Sequence, residues 1–384
     1  MGDRVPLLIV GAGPYGLAMS AYAGRYHVDH VIAGKPMDFW KSHMPRDLLL
    51  RSGSDWHLDP FDEDTMEHYL KAKNLMPAAG EPLSRDLYLG YCEWFQAQKS
   101  IRVLPKLVRR LDRTGGASPH FEAVFDDGES IAARSVVLAL GFRYFERVPD
   151  EYVSLFPRDR ITHSCDSVEF ESLKGKRVLI IGGRQSAFEW AALIHEHGAG
   201  AVYLSYPHPT PAFRPSDWSW VNPLVDALAS DPGWFRRLPL EGKEELNGRM
   251  WAEGRLKLEP WLAPRVAAET IRLFPQSRVV AGRELPGGEL QAVLDDGTTL
   301  VADQIILATG YTVEVMRVPF LANGNLLAQL ETRNGFPILN EYFQSNISGL
   351  FFTSMCATQD FGPFFAFTAG VRTSAALIGS ALRG

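Results

Sequence analysis

The chain has 384 residues and a formal net charge of −6, and 46% of its residues are hydrophobic while 22% are charged. This length suits two or three domains of about 150 residues each, and the composition excludes a disordered or low-complexity protein. The acidic balance excludes nucleic acid as a partner, and no apolar run reaches the ~18 residues of a membrane span, so we expect a cytoplasmic protein.

The N-terminal stretch VPLLIVGAGPYGLAMSAYAGR, residues 5–25, is typical of an apolar strand, a glycine-rich turn and a helix. The short apolar run HVDHVIAG at 27–34 predicts a second strand, which completes a βαβ unit of roughly 30 residues. Three further runs, at 102–115, 120–130 and 133–142, predict strands joined by Gly and Asp turns. The first third of the chain thus predicts a dinucleotide-binding unit followed by a meander.

A second strand, glycine turn and helix begin at LKGKRVLIIGGRQSA, residues 173–187. The stretch at about 206–275 is rich in Pro and Trp and predicts a helical insert. Its tryptophans either contact an aromatic or apolar substrate or only pack the core. An Asp-Asp-Gly hairpin then leads into DQIILATGY at 303–311, and residues 349–382 predict a strand, a loop and a closing helix.

The cysteines and histidines give no sign of metal or disulfide chemistry. Cys92, Cys165 and Cys356 are far apart, odd in number and form no CxxC pair. We therefore expect small buried thiols, no dithiol redox centre and no bound metal.

The first glycine turn, GAGPYG, has the pattern that holds a dinucleotide. Gly11 permits the tight turn, Gly13 lets the backbone approach a pyrophosphate, and Gly16 allows close packing of helix on strand. The N–H groups at the start of the helix favour phosphates. The acidic residue that usually holds the adenosine ribose is replaced by AG at 33–34. Either Asp38 takes its role, or the ribose is held otherwise.

The second turn, GGRQSA at 182–187, keeps a turn glycine in Gly182 and a small third residue in Ala187, but Arg184 replaces the middle glycine. We interpret it as a site for a nicotinamide dinucleotide in which Arg184 lies beside the phosphates. The alternative is a scaffold that no longer binds a nucleotide.

Two polar residues of the second turn, Gln185 and Ser186, favour the binding interpretation, because a mere scaffold would not need them. Arg214, downstream of the second unit, is a candidate for the 2′-phosphate of NADPH. A solvated surface arginine is the equally good alternative, so NADH stays possible as the reductant.

Four segments together carry a resemblance: GAGPYG, Trp40 after the first unit, HSCDS at 163–167 before the second turn, and DQIILATGY. The chain resembles the two-dinucleotide-binding flavoprotein monooxygenases, the group of flavin-containing monooxygenases, Baeyer–Villiger monooxygenases and lysine/ornithine N-hydroxylases. LATGY, with its leading Asp303, is similar to the N-hydroxylase signature. In contrast, the Baeyer–Villiger fingerprint is missing around His163, and no His-Pro follows Tyr311.

The resemblance implies an α/β fold with two Rossmann-like dinucleotide-binding domains, for FAD and for NAD(P). It implies a first segment of the FAD-binding domain at 1–145, an NAD(P)-binding domain at 146–300 with the helical insert, and a returning FAD segment at 301–384. The apolar strand in DQIILATGY would be the strand that returns to the FAD domain.

The resemblance also implies site residues, since the segment LLLRSGSDWHLDP at 48–60 would pass the flavin ring. Arg51, Asp55 and His57 are the predicted catalytic residues, although a single histidine is as often structural. The predicted cofactor-binding residues are Gly11, Gly13, Pro14, Tyr15, Gly16, Trp40, Arg51, Ser52, Trp56, Val108, Gly141, Gly182, Gly183, Arg184, Gln185, Ser186, Arg214, Thr309, Gly310, Asp360 and Phe364.

The implied function is an FAD-dependent, NADPH-using monooxygenase. A nicotinamide reduces the flavin, molecular oxygen adds at flavin C4a, and one oxygen atom passes to a small organic substrate. Two alternatives share the same motifs: an NAD(P)H oxidase or reductase that passes electrons to a quinone or another acceptor, and a non-catalytic flavin-binding sensor.

Overall fold

The computed structural model describes residues 4–116, 118 and 120–383. The strands are β1 (Val5–Val10), β2 (His30–Ala33), β3 (Val103–Leu104), β4 (Val108–Arg113), β5 (Phe121–Phe125), β6 (Ser130–Leu138), β7 (Ile161–His163), β8 (Arg177–Ile181), β9 (Ala201–Tyr206), β10 (Ala212–Phe213), β11 (Lys257–Leu258), β12 (Ile271–Pro275), β13 (Val279–Glu284), β14 (Leu290–Leu294), β15 (Thr299–Ala302), β16 (Gln304–Leu307), β17 (Thr332–Arg333), β18 (Phe336–Pro337) and β19 (Leu350–Phe352).

The α-helices are α1 (Pro14–Arg25), α2 (Asp38–Ser42), α3 (Met66–Ala72), α4 (Arg85–Gln98), α5 (Asp150–Val153), α6 (Gln185–Glu196), α7 (Val221–Ser230), α8 (Trp234–Arg237), α9 (Leu240–Arg255), α10 (Leu262–Arg265), α11 (Pro319–Ala322), α12 (Thr358–Phe361) and α13 (Val371–Arg383). Short 3-10 helices span Pro77–Gly80, Arg158–Arg160, Glu171–Leu173, Val315–Arg317, Ser354–Ala357, Pro363–Ala366 and Thr368–Gly370.

The first sheet has the order β3-β2-β1-β6-β5-β4, and β19 pairs with β6. Strands β1, β2, β3 and β19 join it in parallel, whereas β4, β5 and β6 form the predicted antiparallel meander. Leu7, Leu8 and Ile9 of β1 are fully buried, as expected of a parallel strand that is covered on both faces. The predicted strand, turn and helix at the N-terminus are confirmed.

The second sheet is wholly parallel, with the order β12-β9-β8-β16-β7. Its β8, α6 and β9 confirm the second predicted βαβ unit. Next to it β13, β14 and β15 form an antiparallel sheet whose β14–β15 connection is the expected Asp-Asp-Gly hairpin. The mixed α/β architecture with two Rossmann-like units is confirmed.

One predicted strand belongs to the other sheet. Strand β16, in DQIILATGY, was expected to return to the FAD domain, but it pairs in parallel with β7 and β8 of the second sheet. The strand that returns to the first sheet is β19, which pairs with β6. The domain boundary expected at residue 300 therefore lies before β16, which is a strand of the second sheet. The other predicted domain boundaries stay predictions.

The predicted helical insert contains α7, α8, α9 and α10, between β9 and β12. Its last five residues are not helical, because 271–275 form β12 at the edge of the second sheet. Trp220 is buried, Trp218 is half-buried, and Trp251 is 53% exposed. None of the helices within the described ranges is both long and apolar enough to cross a bilayer.

Candidate functional site

A cavity of about 390 Å³ lies between the first sheet and the second. Its walls come from the turn between β1 and α1, the residues after β2 and β6, the loop at 48–56, the start of α6, the end of α9 and the segment before α13. The volume is within the range of small-molecule sites, and ligands of open α/β sheets bind at the carboxyl ends of the strands. This cavity is the candidate site, and it reaches from the first glycine turn to the second.

The first turn has the shape of a phosphate cradle. Gly11 has φ +108°, and a Cβ there would lie 2.3 Å from the carbonyl oxygen of Ala139. A Cβ at Gly16 would lie 1.8 Å from the oxygen of Gly11, so this glycine allows α1 to pack closely, as predicted. In contrast, a Cβ at Gly13 would meet nothing within 4 Å, because Gly13 faces the open cavity. The turn therefore fits a bound pyrophosphate.

The start of α1 is tied to the segment before α13. Pro14 and Tyr15 line the cavity, and the Tyr15 hydroxyl donates to the carbonyl oxygens of Phe365 and Phe367 at 2.9 and 2.7 Å. Thr368 also lines the cavity, is only 6% exposed, and its hydroxyl has no partner among the described residues. A buried hydroxyl without a partner is costly, so this wall also fits a ligand with polar atoms.

The acidic residue missing after β2 has one candidate replacement. Asp38 lines the cavity at the start of α2, where it accepts a hydrogen bond from Arg143 Nη1. Lys35, which follows the AG pair at 33–34, lines the cavity and is exposed. Val108 and Gly141, both predicted to bind cofactor, line this end as well.

The loop at 48–56 reaches the cavity through three predicted residues: Arg51, Ser52 and Trp56. Trp40, predicted from the resemblance, lines the cavity beside them. Trp56 is 4% exposed, and its Nε1 donates to Asn222 Oδ1 at 2.8 Å. The sequence predicted that this loop passes the flavin ring. In the structure the loop packs against the insert.

The Arg51 guanidinium is occupied by structural contacts. Its Nε donates to Glu259 Oε1 at 2.9 Å, and its Nη1 donates to the carbonyl oxygen of Gly254 at 2.8 Å. Nη2 donates to the carbonyl oxygen of Glu253 at 2.9 Å. Cations at the last carbonyls of a helix are stabilising, so Arg51 joins the loop to the C-terminus of α9.

Two predicted catalytic residues lie outside the cavity. His57 is 6% exposed, and its Nε2 lies 3.2 Å from Asp62 Oδ1 and 3.3 Å from Arg372 Nη1. Burial and the Arg372 guanidinium lower the pKa of His57 to about 4. Asp55 is exposed and accepts a hydrogen bond from Asn222 Nδ2. Neither His57 nor Asp55 lines the cavity, and their catalytic role stays a prediction of the sequence.

In the second turn, the two glycines meet protein rather than open space. Gly182 has φ +147°, and a Cβ there would lie 2.5 Å from the carbonyl oxygen of Ala308. A Cβ at Gly183 would lie 2.2 Å from the ring of Tyr206. Ala187 is buried on α6, as a small third residue should be. The glycines here permit the turn and the packing of Tyr206.

Of the polar residues in the second turn, Gln185 and Ser186 line the cavity. Arg184 does not: its Nη1 donates to the carbonyl oxygen of Arg255 at 2.6 Å, and its guanidinium lies 5.2 Å from the ring centroid of Trp251. Like Arg51, it therefore binds the C-terminus of α9. The predicted phosphate contact would require Arg184 to exchange this carbonyl for a ligand.

The remaining predicted cofactor residues lie away from the cavity. Arg214 is exposed directly after β10. Thr309 donates its hydroxyl to the carbonyl oxygen of Arg147, and Gly310 accepts from Arg147 N at 2.8 Å. The side chain of Asp360 is buried against Arg333 Nη2 at 3.0 Å and accepts from Leu339 N at 2.9 Å.

Phe364 is also fully buried, and it packs on Trp234 and Phe235. Neither Asp360 nor Phe364 lines the cavity, so their contact with a cofactor stays a prediction.

Glu189 is the functional candidate that the sequence analysis missed. It lines the cavity from α6 and is 1% exposed. Its Oε1 accepts from Leu49 N at 2.9 Å, and its Oε2 accepts from Gln185 Nε2 at 3.2 Å. Burial raises the pKa of Glu189 to about 7. A carboxyl that titrates near neutral pH in a ligand cavity is a functional candidate.

Other lining residues that were not predicted come from strand ends, from α2 and α6, from the insert and from the segment before α13. They include Lys35, Phe39, His43, Lys106, Arg143, Trp190, Trp218, Arg255, Tyr311, Ser354 and Phe367. For Lys35 the position shortly after the end of β2 was a usable signal, since strand ends carry ligand contacts. The others depend on how the second sheet and the insert pack on the first.

Three possible metal ligands approach one another beside the cavity. Ligand atoms of His43, Cys165 and Asp166 lie within 4.8 Å of each other. However, His43 Nδ1 donates to the carbonyl oxygen of Cys165 at 2.9 Å. Burial raises the pKa of the Cys165 thiol to about 12, so the thiol stays protonated at neutral pH. Metals bind the thiolate, and this geometry alone does not make a metal site.

The fold and the cavity define a flavoprotein oxidoreductase with two dinucleotide-binding units, one at each glycine turn. A family model described as pyridine nucleotide-disulphide oxidoreductase matches residues 8–228, and the chain belongs to that family. The three cysteines are all buried and free, so the disulphide chemistry in the family's name has no dithiol to act through among the described residues.

Similar proteins include both reductases and monooxygenases. The chain is 28% identical over 232 residues to a ferredoxin–NADP reductase of Thermus thermophilus, a match that spans 59% of each chain. It is 26% identical over 370 residues to the probable indole-3-pyruvate monooxygenase YUCCA8 of Arabidopsis thaliana, covering 86% of this chain and 79% of that protein. The match to the reductase thus spans less than two thirds of its length.

Among solved structures, the ornithine N-hydroxylase of Kutzneria sp. 744 has a TM-score of 0.79 at 15% identity, with 99% of both chains covered. The bacillithiol disulfide reductase Bdr of Bacillus cereus has a TM-score of 0.62 at 18% identity, again with 99% of both chains covered. At such identities these structures show a shared fold. The predicted resemblance to two-dinucleotide-binding flavoprotein monooxygenases is confirmed.

Proposed function

We propose that the protein is an FAD-dependent, NADPH-using monooxygenase that inserts one oxygen atom into a small organic substrate. The observation that carries this proposal is the single cavity between the two glycine turns, with one open backbone cradle at Gly13 and polar residues of α6 at its other side. Similarity to the monooxygenase YUCCA8 over 86% of the chain supports the reaction class. The cytoplasmic location stays a prediction of the sequence.

In this proposal the chain's own residues bind and orient. The backbone at Gly13 and the N-terminus of α1 would hold the pyrophosphate of FAD, because free N–H groups and the helix dipole favour anions there. Asp38 is the residue available for a ribose hydroxyl, since it lies after β2 and faces the cavity. Bound FAD would supply a hydride acceptor and the activation of oxygen.

The second half of the chain would position the nicotinamide and exclude water. Gln185 and Ser186 are the polar groups of α6 that reach the cavity, while Arg184 and Arg51 fix the end of α9 beside it. The aromatic side chains of Trp56 and Trp218 cover the same end. A covered, apolar site protects reactive oxygen chemistry from water.

The test is oxygen incorporation. The purified yellow protein would be supplied with NADPH, isotopically labelled oxygen gas and a panel of aromatic acids, amines and diamino acids, and the products analysed by mass spectrometry. One labelled oxygen atom per product molecule supports the proposal. Label that appears only in hydrogen peroxide or water, with every substrate, contradicts it.

A second candidate function is an NADPH-dependent reductase that passes electrons to an acceptor without inserting oxygen. It is favoured by the similarity to the ferredoxin–NADP reductase. Under nitrogen, such an enzyme would oxidise NADPH continuously when a quinone or ferredoxin is added. A monooxygenase would stop after a single reduction of its flavin.

A further inference from the structure

Three aromatic rings line the end of the cavity where the insert meets the loop at 48–56. Trp56 and Trp218 have ring centroids 6.1 Å apart, Trp218 and Phe367 are 5.9 Å apart, and Trp56 and Phe367 are 6.3 Å apart. All three line the cavity. The rings are tilted to one another by 43° to 60°. Aromatic rings pair favourably with other aromatic rings, so this cluster favours an aromatic ligand over an aliphatic one.

A residue with a cationic side chain follows a glycine that packs against this aromatic cluster. Gly254 packs against the indole of Trp218, since a Cβ at Gly254 would lie 3.3 Å from Trp218 Cη2. The next residue, Arg255, lines the cavity and is exposed to solvent. The neighbouring arginines, Arg51 and Arg184, already donate to carbonyl oxygens at the end of α9.

The other cavity cations have carboxylate partners, apart from Lys35 at the far end after β2. Lys106 is paired with Asp127 and Glu129, and Arg143 is paired with Asp38. No ion pair of Arg255 with a carboxylate within 4.0 Å is found in the described part of the chain. The insert end of the cavity therefore carries a positive charge that a ligand can neutralise.

The same cavity offers little to an ammonium group. Among the described lining residues the carboxylates are Asp38 and Glu189. Asp38 is engaged by Arg143, and both oxygens of Glu189 already accept hydrogen bonds, from Leu49 N and Gln185 Nε2. The charge of the lining thus favours an anionic ligand at the aromatic end.

We propose that this end of the cavity binds an aromatic carboxylic acid, with the ring among Trp56, Trp218 and Phe367 and the carboxylate on Arg255. The assignment rests on the proposed function only in naming this acid as the molecule that is oxidised. Arg255 is then the residue that determines specificity for the acid, because a charge-assisted hydrogen bond to a carboxylate is about twice as strong as a neutral one.

The experiment measures binding to the oxidised, FAD-loaded protein by titration calorimetry, so it needs neither NADPH turnover nor oxygen. The probes are 3-phenylpropionate, its amide 3-phenylpropionamide, the saturated analogue 3-cyclohexylpropionate, L-ornithine and NADP⁺. Three variants are compared with the wild type: Arg255→Gln, Arg255→Lys and the control Arg249→Gln. Arg249 lies on the same helix but outside the cavity, over the ring of Trp220.

We expect the wild type and Arg249→Gln to bind 3-phenylpropionate at least tenfold more tightly than the amide and than the cyclohexyl acid. Arg255→Gln should bind the acid at least tenfold more weakly than the wild type does and bind the amide equally well. Arg255→Lys should retain part of the preference for the acid over the amide. Flavin content and the thermal midpoint of each variant show whether it is folded.

Three results would overturn the assignment. The first is equal binding of acid and amide by the wild type. The second is tighter binding of L-ornithine than of 3-phenylpropionate. The third is weaker NADP⁺ binding by Arg255→Gln without any change in its affinity for the acid, which would mean that Arg255 binds the dinucleotide instead. A failure of oxygen incorporation, by contrast, would affect only the proposed function.

Discussion

Glu189→Gln should change the pH dependence of stability in a defined direction. Glu189 has an ordinary pKa of 4.5, and burial raises it to about 7 in the folded protein. The pKa of Glu189 is higher in the folded state than in the unfolded state. Its contribution therefore favours the folded state most below pH 4.5, and this stability is lost as pH rises from there to about 7. The difference between the two pKa values corresponds to ~3 kcal/mol.

Glutamine cannot ionise, so the variant should not show this loss. Its amide would also face the Gln185 amide where Oε2 now accepts a hydrogen bond, at a cost of about 1 kcal/mol that does not depend on pH. Relative to wild type, Glu189→Gln should therefore be slightly less stable at pH 5 and ~2 kcal/mol more stable at pH 8.

The assay is denaturant unfolding of both proteins at pH 5, 6, 7 and 8, with the difference in unfolding free energy plotted against pH. Glu171→Gln is the control, since Glu171 is exposed and its replacement should leave the curve unchanged. Parallel curves for wild type and Glu189→Gln would refute the reasoning, because they would mean that Glu189 ionises normally in the folded protein.

Three further substitutions test the site. Gly13→Val should abolish flavin binding, measured by flavin absorbance, because the new side chain would enter the open cavity. The protein should stay folded, since φ at Gly13 is −86°. The control Gly24→Val, on the same helix, should keep its flavin. Arg51→Ala should lower the free energy of unfolding by about 3 kcal/mol, because buried Glu259 loses its partner; denaturant unfolding showing no change would contradict this. Arg184→Ala should weaken NADPH binding and leave flavin content unchanged, and loss of flavin would exclude the predicted phosphate contact.

The sequence predicts the parts of the fold that depend on local pattern. Apolar runs that stop at Gly11 and Gly182, followed by helical spacing, identify both βαβ units, because positive φ at a turn requires glycine. The sequence does not predict which sheet a strand joins. Strand β16 was assigned to the wrong sheet, since its apolar residues would be equally buried in either one.

The candidate site is only partly predictable for a related reason. The sequence identifies Arg51 and His57 as residue types suited to chemistry. In the structure Arg51 is paired with Glu259. His57 is buried beside Asp62 and Arg372 with its pKa lowered to about 4, so it is neutral at neutral pH. Glu189 lies in the apolar run FEWAALI, where nothing in the spacing indicates a cavity. Its raised pKa comes from burial between α6 and the loop at 48–56, which is a tertiary effect.

The central claim is that one cavity holds FAD at the first turn and accepts NADPH at the second. Its most direct test is anaerobic mixing of the protein with the nucleotide. The FAD-loaded protein is mixed with NADPH, and separately with NADH, under nitrogen while the flavin absorbance is followed. The account predicts complete bleaching by NADPH, and slower bleaching by Arg184→Ala at the same concentration. Flavin that stays oxidised with both nucleotides would contradict it and favour a flavin-binding sensor.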